Sequence, residues 1–343
     1  MAQHGRQLDE RVIDISSTRH ILVVSHTGRP DSIDAALEVC GLLGDAGVVP
    51  VLPRDEWDDI RRAQPTAAID DVEILFDGVA CDDLECVIVL GGDGTILRAA
   101  ELIRGTRAPI VGVNLGHVGF LAESERDEMG DTVARVLAAD YEVEERFALD
   151  VKVTNGDEVV YETWAMNEAT VEKASRERML EVVIEVDGRP LSSFGCDGVV
   201  MSTPTGSTAY SFSAGGPVVW PAVQALLLVP LSAHALFARP LVVGPDSVLA
   251  VEVLSRTDAR GILWCDGRRE HDLPPGARVE CSRSDQPVRL ARLRTGPFTD
   301  RLVAKFQLPV TGWRGPAPVD EAPAESVTSS SSSPTAPAAE GDR

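Results

Sequence analysis

Five apolar residues, Cys86-Val87-Ile88-Val89-Leu90, run directly into Gly91-Gly92-Asp93-Gly94-Thr95, and a helical pattern follows from Thr95 to Ile103. A short, continuous apolar run of this kind reads as a strand buried on both faces. Such strands belong to parallel sheets, which need helical crossovers and are covered by helices. The junction therefore commits this part of the chain to an open α/β layer structure. It also sets the glycine turn at the carboxyl end of a parallel strand, the edge at which such sheets bind ligands.

The neighbouring segments repeat the logic. Ile21-Leu22-Val23-Val24 reads as a strand, His26-Thr27-Gly28-Arg29-Pro30 as a loop, and the residues beyond as a helix. Ile33, Ala36, Leu37, Cys40 and Leu43 share one face, with Asp31 as the expected N-cap and Gly44 or Gly47 as the stop. Val48 to Leu52 and Pro109 to Val113 read as further strands, and Asp127 to Ala139 as a helix. Past about Tyr141 the pattern changes to short alternating or β-branched runs: Leu149 to Thr154, Val159 to Trp164, Leu180 to Val186, Val199 to Ser202, Val248 to Leu254 and Gly261 to Cys265. Asn155-Gly156 and Asp187-Gly188 supply turns between them. The expected fold class is an α/β N-terminal domain with a parallel sheet plus a β-rich C-terminal domain.

The expected division runs as follows: 1–19, a flexible polar lead; 20–145, the α/β domain; 146–300, the β-rich domain; 301–314, a segment packing back on the core through Leu302 to Phe306; 315–343, a disordered acidic Ser/Pro/Ala tail with a serine run from Ser329 to Ser333. At 343 residues and 44% hydrophobic, the chain can fill two cores. Its 32 basic residues against 54 acidic ones give a formal charge of -22, which repels phosphate polymers and argues against nucleic acid as a partner. The most apolar stretch, Ala222 to Gly244, is interrupted by Pro230, His234, Arg239 and Pro240, so no membrane span is expected. The first sixteen residues lack the apolar core of a signal peptide. Six scattered cysteines form no CxxC pairs, so no zinc site is expected, and they read as reduced thiols of a cytoplasmic protein.

Four segments carry candidate chemistry. In Gly91-Gly92-Asp93-Gly94-Thr95 the glycines let backbone approach a phosphate at a helix start. Asp93 suits a proton acceptor for a hydroxyl or a holder of a divalent cation. A tight turn capped by an aspartate is the plainer reading. Asn114-Leu115-Gly116-His117-Val118-Gly119-Phe120-Leu121 also follows a strand and reads as a loop shaped over a ligand, with His117 in a structural role. Asn167-Glu168 ends an apolar run and by itself means little. The segment from Asp197 to Ser211, containing Ser202-Thr203-Pro204-Thr205-Gly206-Ser207-Thr208-Ala209-Tyr210, is dense in small hydroxyls and backbone donors. It suits a ribose, a phosphate or an adenine edge, with Tyr210 beside a base. The alternative is a turn that satisfies only its own backbone. No GxxxxGK[ST] loop occurs, so any phosphate cradle is the GGDGT turn.

Together, in order and spacing from about Ile21 to about Phe306, these four segments resemble the bacterial NAD kinases, of the actinobacterial ATP/polyphosphate type. The resemblance implies an active site in the interdomain cleft. It implies transfer of a phosphoryl group from ATP or polyphosphate to the adenosine ribose 2′-hydroxyl of NAD, giving NADP, with Mg²⁺ or a similar divalent ion. It implies Asp93 as the base, with Gly91, Gly92, Gly94 and Thr95 at the ribose or phosphates. Asn167 and Glu168 would hold the adenosine ribose. Asp197 with Thr208, Ala209, Tyr210, Ser211, Phe212 and Ser213 would line the dinucleotide pocket, and Arg98 and Arg178 would make polar contacts. Relatives often carry a basic residue where this chain has Gly195, which bears on one dinucleotide contact. A homodimer or homotetramer is implied as well. The competing readings are a lipid or sugar kinase sharing the GGDGT turn, and a dinucleotide sensor without catalysis.

Overall fold

The computed structural model describes residues 18–310, apart from 68–70, 117–118, 177, 257 and 295. The expected lead before residue 18, the tail 315–343 and His117 lie outside the described residues.

The first half runs β1 (His20–Ser25), α1 (Pro30–Asp45), β2 (Val49–Leu52), α2 (Arg54–Ala63), β3 (Glu73–Leu75), β4 (Gly78–Val79), β5 (Leu84–Leu90), α3 (Asp93–Leu102), β6 (Ile110–Asn114), β7 (Ser124–Glu125), α4 (Met129–Leu137) and β8 (Glu142–Arg146). The second half continues β9 (Leu149–Asn155), β10 (Glu158–Ala165), β11 (Glu168–Lys173), β12 (Leu180–Val186), β13 (Arg189–Cys196), β14 (Gly198–Ser202), α5 (Tyr210–Ser213), β15 (Leu226–Leu231), β16 (Leu241–Val243), β17 (Leu249–Val253), β18 (Gly261–Cys265), β19 (Arg269–Leu273), β20 (Ala277–Arg283), β21 (Val288–Arg292) and α6 (Phe298–Phe306).

Among the described residues the first sheet has the order β4-β3-β2-β1-β5-β6-β21-β8, with β7 beside β6. Its strands from β4 to β21 are parallel, and β8 is antiparallel to β21. Apolar runs that face helices on both sides leave no room for polar residues, and Ile21 to Val24 and Cys86 to Leu90 are all fully buried. One core, of Ile33, Val39, Leu43 and Val133 from α1 and α4, covers one face of this sheet. Another, of Ile96, Ala99 and Ala100 from α3, covers the other and takes in Met166 from the second half.

The second half forms two antiparallel sheets, β10-β9-β20-β17-β12-β13 and β16-β15-β14-β11-β18-β19. Their inner faces share one core, including Val151, Val182, Val199, Leu228, Val251 and Leu263. The stretch expected not to span a membrane supplies β15 and β16, and no helix among the described residues is long and apolar enough to cross one. Pro230 is tolerated in β15 because β16 pairs only with Leu226 to Leu228, so the missing N–H falls beyond that ladder.

Two details differ from the sequence reading. Asp31 does not cap α1: the helix starts at Pro30 with Arg29 in the cap position and no side-chain cap bond. Proline's fixed φ and absent N–H suit the first helical position, which moves Asp31 into the first turn, where it faces the helix's positive end. The return to the first sheet begins at Val288, inside the range 146–300 expected for the β-rich domain, because β21 pairs with β6 and β8. With only a few residues in β21, its sequence does not say which sheet it joins.

Candidate functional site

The ends of β1, β5 and β6 open onto a cavity of about 570 Å³. Gly91, Gly92, Gly94, Thr95 and Arg98 line it, with Asn114 of the loop after β6; so do Ser25, Thr27, Arg29 and Arg268, which sequence reasoning left out. Arg268 comes from the β18–β19 hairpin, so the cavity lies where the two halves meet. The missed loop after β1 had a usable signal, since it ends a parallel strand next to β5. The start of α3 at Asp93 adjoins the cavity with its first-turn amides, whereas at the start of α1 Pro30 has no N–H and those of Ser32 and Ile33 already donate to the Arg29 carbonyl.

Asp93 is the first residue of α3, and its carboxylate reaches across to the loop after β6. Oδ2 accepts the Phe120 N–H and Oδ1 the Leu121 N–H, both at 3.0 Å. A Cβ on Gly119 would lie 2.4 Å from Asp93 Oδ1, so only glycine allows this approach. The GGDGT turn and the N-L-G-x-x-G-F-L loop, separate motifs in the sequence, are thus one hydrogen-bonded unit.

Arg98 is not a free cation. It is tied to Glu56 Oε1 and Asp55 Oδ2, both at 2.7 Å, and donates to the Ser25 carbonyl at 3.3 Å. Glu56 is fully buried beneath the cavity, and its Oε2 accepts the Ser25 N–H at 2.7 Å and hydroxyl at 3.0 Å. Burial pushes its carboxyl up to about 7, against the opposing pull of the Ser25 N–H and Arg98. No local signal in the sequence marks Glu56, which lies in a charged helix.

Asn167 and Glu168 sit at the start of β11, largely buried. Their turn is clamped by Asp266, another residue missed from sequence, which follows β18. Asp266 Oδ1 accepts the N–H of Asn167 at 2.7 Å and of Glu168 at 3.3 Å; Oδ2 accepts that of Met166 at 2.9 Å and pairs with Arg269 at 2.8 Å. Burial and the Asp266 charge push the Glu168 carboxyl up to about 8. Its buried Oε2 has no partner, while the carboxylate accepts the Tyr210 N–H. A Cβ on Gly206 would meet the Asn167 carbonyl oxygen at 2.0 Å, so the hydroxyl-rich segment packs directly on the Asn-Glu turn.

Within that segment, Thr208 Oγ1 donates to the Thr205 carbonyl and Ser211 is buried. Tyr210, Phe212 and Ser213 are exposed, and the Phe212 ring stacks on Phe306 of α6 at 4.5 Å. Tyr210 shares its hydroxyl with Glu172, and Ala209 bridges the two short helical turns. Asp197 is paired with Lys173 at 2.5 Å, a contact that with Ser232 holds its carboxyl below the usual range. Arg178 does not line the main cavity. It borders a separate recess of about 230 Å³ with Ser175, Asp258 and Arg260. The space above Gly195 is taken by Met179, whose Sδ would lie 2.1 Å from a Cβ there.

Family models for the N-terminal and C-terminal domains of ATP-NAD kinases match residues 21–141 and 166–293. The NAD kinase of Leifsonia xyli is 70% identical over 302 residues, 88% of this chain and 99% of that protein. The chain belongs to the NAD kinase family. The NAD kinase of Thermobifida fusca is 59% identical over 307 residues, 88% of this chain and 93% of that protein. Yeast NADH kinase, solved with NADH, superimposes with a TM-score of 0.74 at 25% identity, covering 84% of this chain and 87% of that one. An NAD kinase from Archaeoglobus fulgidus, solved with ATP, shares the fold with a TM-score of 0.63 at 23% identity, over 84% and 99% of the two chains. The family match spans both halves, hydroxyl-rich segment included, and sets aside the lipid- and sugar-kinase readings and the non-catalytic sensor. As a member of the NAD kinase family the chain is a kinase of NAD, and the family uses ATP as phosphoryl donor.

Proposed function

We propose that Asp93 is the base that takes the proton of the adenosine ribose 2′-hydroxyl of NAD while the donor's terminal phosphoryl group is transferred to that oxygen. The observation that carries this reading is the fixed carboxylate of Asp93. Two backbone N–H groups hold it at the mouth of α3, beside the glycine-lined cavity. Phosphoryl transfer asks for positioning and charge neutralisation more than covalent chemistry. Glycine-turn amides at the start of α3 and the Arg29 guanidinium supply donors and positive charge for phosphates, while Arg98 and Arg268 border the cavity already paired with Glu56, Asp55 and Glu101. Asn167 and Glu168, clamped by Asp266, hold ribose hydroxyls, and the buried, unpartnered Glu168 Oε2 suits a hydroxyl donor. Thr208 to Ser213 and Asp197 border the dinucleotide.

No group of three or more His, Cys, Asp or Glu side chains among the described residues is arranged to hold a metal ion. The divalent cation, Mg²⁺ or similar, comes with the donor's phosphates, since Mg²⁺ takes most of its ligands from phosphate oxygens and water with at most one or two carboxylates. Polyphosphate as an alternative donor, a cytoplasmic setting and a homodimer or homotetramer complete the proposal. A coupled NADP assay with ATP or polyphosphate tests it. Removing a general base costs roughly 10²–10⁴-fold, so Asp93→Asn should bind NAD and lose activity by that factor. Retention of most of the activity would refute the role of Asp93.

A further inference from the structure

Away from the first cavity, between β8, β21, α6 and the residues before β15, lies a second cavity of about 410 Å³. Four guanidinium groups line it, those of Arg146, Arg292, Arg294 and Arg301, with Trp220 and Phe298 on one wall. This concentration of cations occurs in a chain whose formal charge is -22. Glu142 and Glu144 also line the cavity, Glu144 bonding both Arg146 and Arg292, while Glu123 and Glu128 pair with the arginines without lining it. Arg146 has 5% of its side chain exposed. Its Nε lies 3.1 Å from Glu144 Oε1 but out of line for a hydrogen bond, which leaves that buried N–H without a partner. Burial, with the neighbouring charge of Arg292, pushes the Arg146 guanidinium down to about 10. Clustered, partly desolvated guanidiniums with an unmet donor favour an anion, and their planar forks match phosphate oxygens.

Three of these arginines, Arg301, Arg292 and Arg146, hold the active-site loops. Arg301 Nη1 donates to the carbonyls of Phe120 at 2.8 Å and Ala122 at 3.3 Å, and Arg292 Nη1 to that of Leu121 at 3.4 Å. The N–H groups of Phe120 and Leu121 are those bound by Asp93. Arg146 Nη1 reaches Thr205 Oγ1 at 3.3 Å, in the hydroxyl-rich segment. An anion drawing these guanidiniums into the cavity would shift both loops together.

We propose that this cavity is a second anion site, which takes the phosphate group of a small molecule, and that its occupancy is felt by the loop held on Asp93. Trp220, half exposed and edge-on to Phe298 at 5.3 Å, offers an apolar wall for whatever carries the phosphate.

The test is calorimetric titration of inorganic phosphate into the full chain with NADP and ADP at saturation, so that the first cavity is filled. One further binding event is expected, weakened at least fivefold in Arg294→Gln, whose side chain lies on the exposed rim and whose phosphate-free activity should match the parent. In kinase assays phosphate should change kcat or the KM for NAD in the parent and not in Arg294→Gln. A parallel titration with adenosine monophosphate separates the sources. Tighter binding that Trp220→Ala removes assigns a nucleotide, and affinity equal to phosphate assigns the bare ion. Absence of the second event, or identical binding and kinetics in Arg294→Gln, would overturn the proposal and leave the arginines as framework ion pairs only.

Discussion

Replacing Asp266 with asparagine tests the argument that one buried carboxylate sets the position of Asn167 and Glu168. The swap preserves shape, and asparagine tolerates the left-handed backbone at this position, φ 54°. An amide has one acceptor oxygen. If it keeps the Asn167 and Glu168 N–H groups, Arg269 and the Met166 N–H lose theirs. Breaking a buried ion pair by removing one partner costs about 3–5 kcal/mol. A partial offset comes from Glu168, which no longer faces the Asp266 charge. Urea unfolding at pH 7 should therefore show a loss of about 3 kcal/mol or more. The pH dependence has a defined sign. Glu168 and Asp266 both have folded-state values raised above the unfolded ones. The stability each contributes is present below the unfolded value and is lost as pH rises through the folded value, for Glu168 about 8. Asp266→Asn removes one such group and lowers the other, so the gap between parent and variant should narrow from pH 5 to pH 8.5. A loss under about 1 kcal/mol, typical of an ordinary exposed pair, or a gap that widens with pH, would refute the clamp.

Three further outcomes follow from the same geometry. Gly119→Ala, which changes no charge, should push the Asp93 carboxylate off Phe120 and Leu121; with charge-assisted bonds contributing about 1.5–3 kcal/mol each, amide exchange at those two residues should rise at least tenfold and kcat should fall, and unchanged exchange would contradict the contact. Glu56→Gln should raise the KM for the phosphate-bearing substrates, because Arg98 and Ser25 lose their shared anchor, and should erase an inflection near pH 7 in that KM; an inflection that survives would assign it to another group. Parent stability should also fall as pH rises from about 4.5 through about 7, where the raised Glu56 loses its proton, and Glu56→Gln should flatten that slope in urea titrations across the range.

Much of the candidate site was legible in sequence because its chemistry is written in contiguous residues. GGDGT announces a strand-to-helix phosphate turn through glycine's steric freedom and the helix start, and the apolar run before it announces a parallel strand. The change from helix-period to strand-period patterning near Tyr141 likewise marked the second half as β. What stayed hidden was long-range pairing. Glu56 looks like one acid among several in a charged helix, and only the packing of α2 under the ends of β1 and α3 buries it against Ser25 and Arg98. Asp266 looks like a turn residue, yet it receives three amides from a turn about a hundred positions away.

The layer class, the glycine turn, the hydroxyl-rich segment and the family are readable from neighbouring residues alone, because local periodicity and short motifs depend on neighbours along the chain. It takes the closed fold to show that β21 returns to the first sheet, that Asp93 grips the loop after β6, that Arg98 is already paired and that Arg178 stands apart. Those outcomes depend on which buried polar groups find partners once the cores close, and a desolvated carboxylate or guanidinium takes whatever partner the fold brings within reach, however distant in sequence.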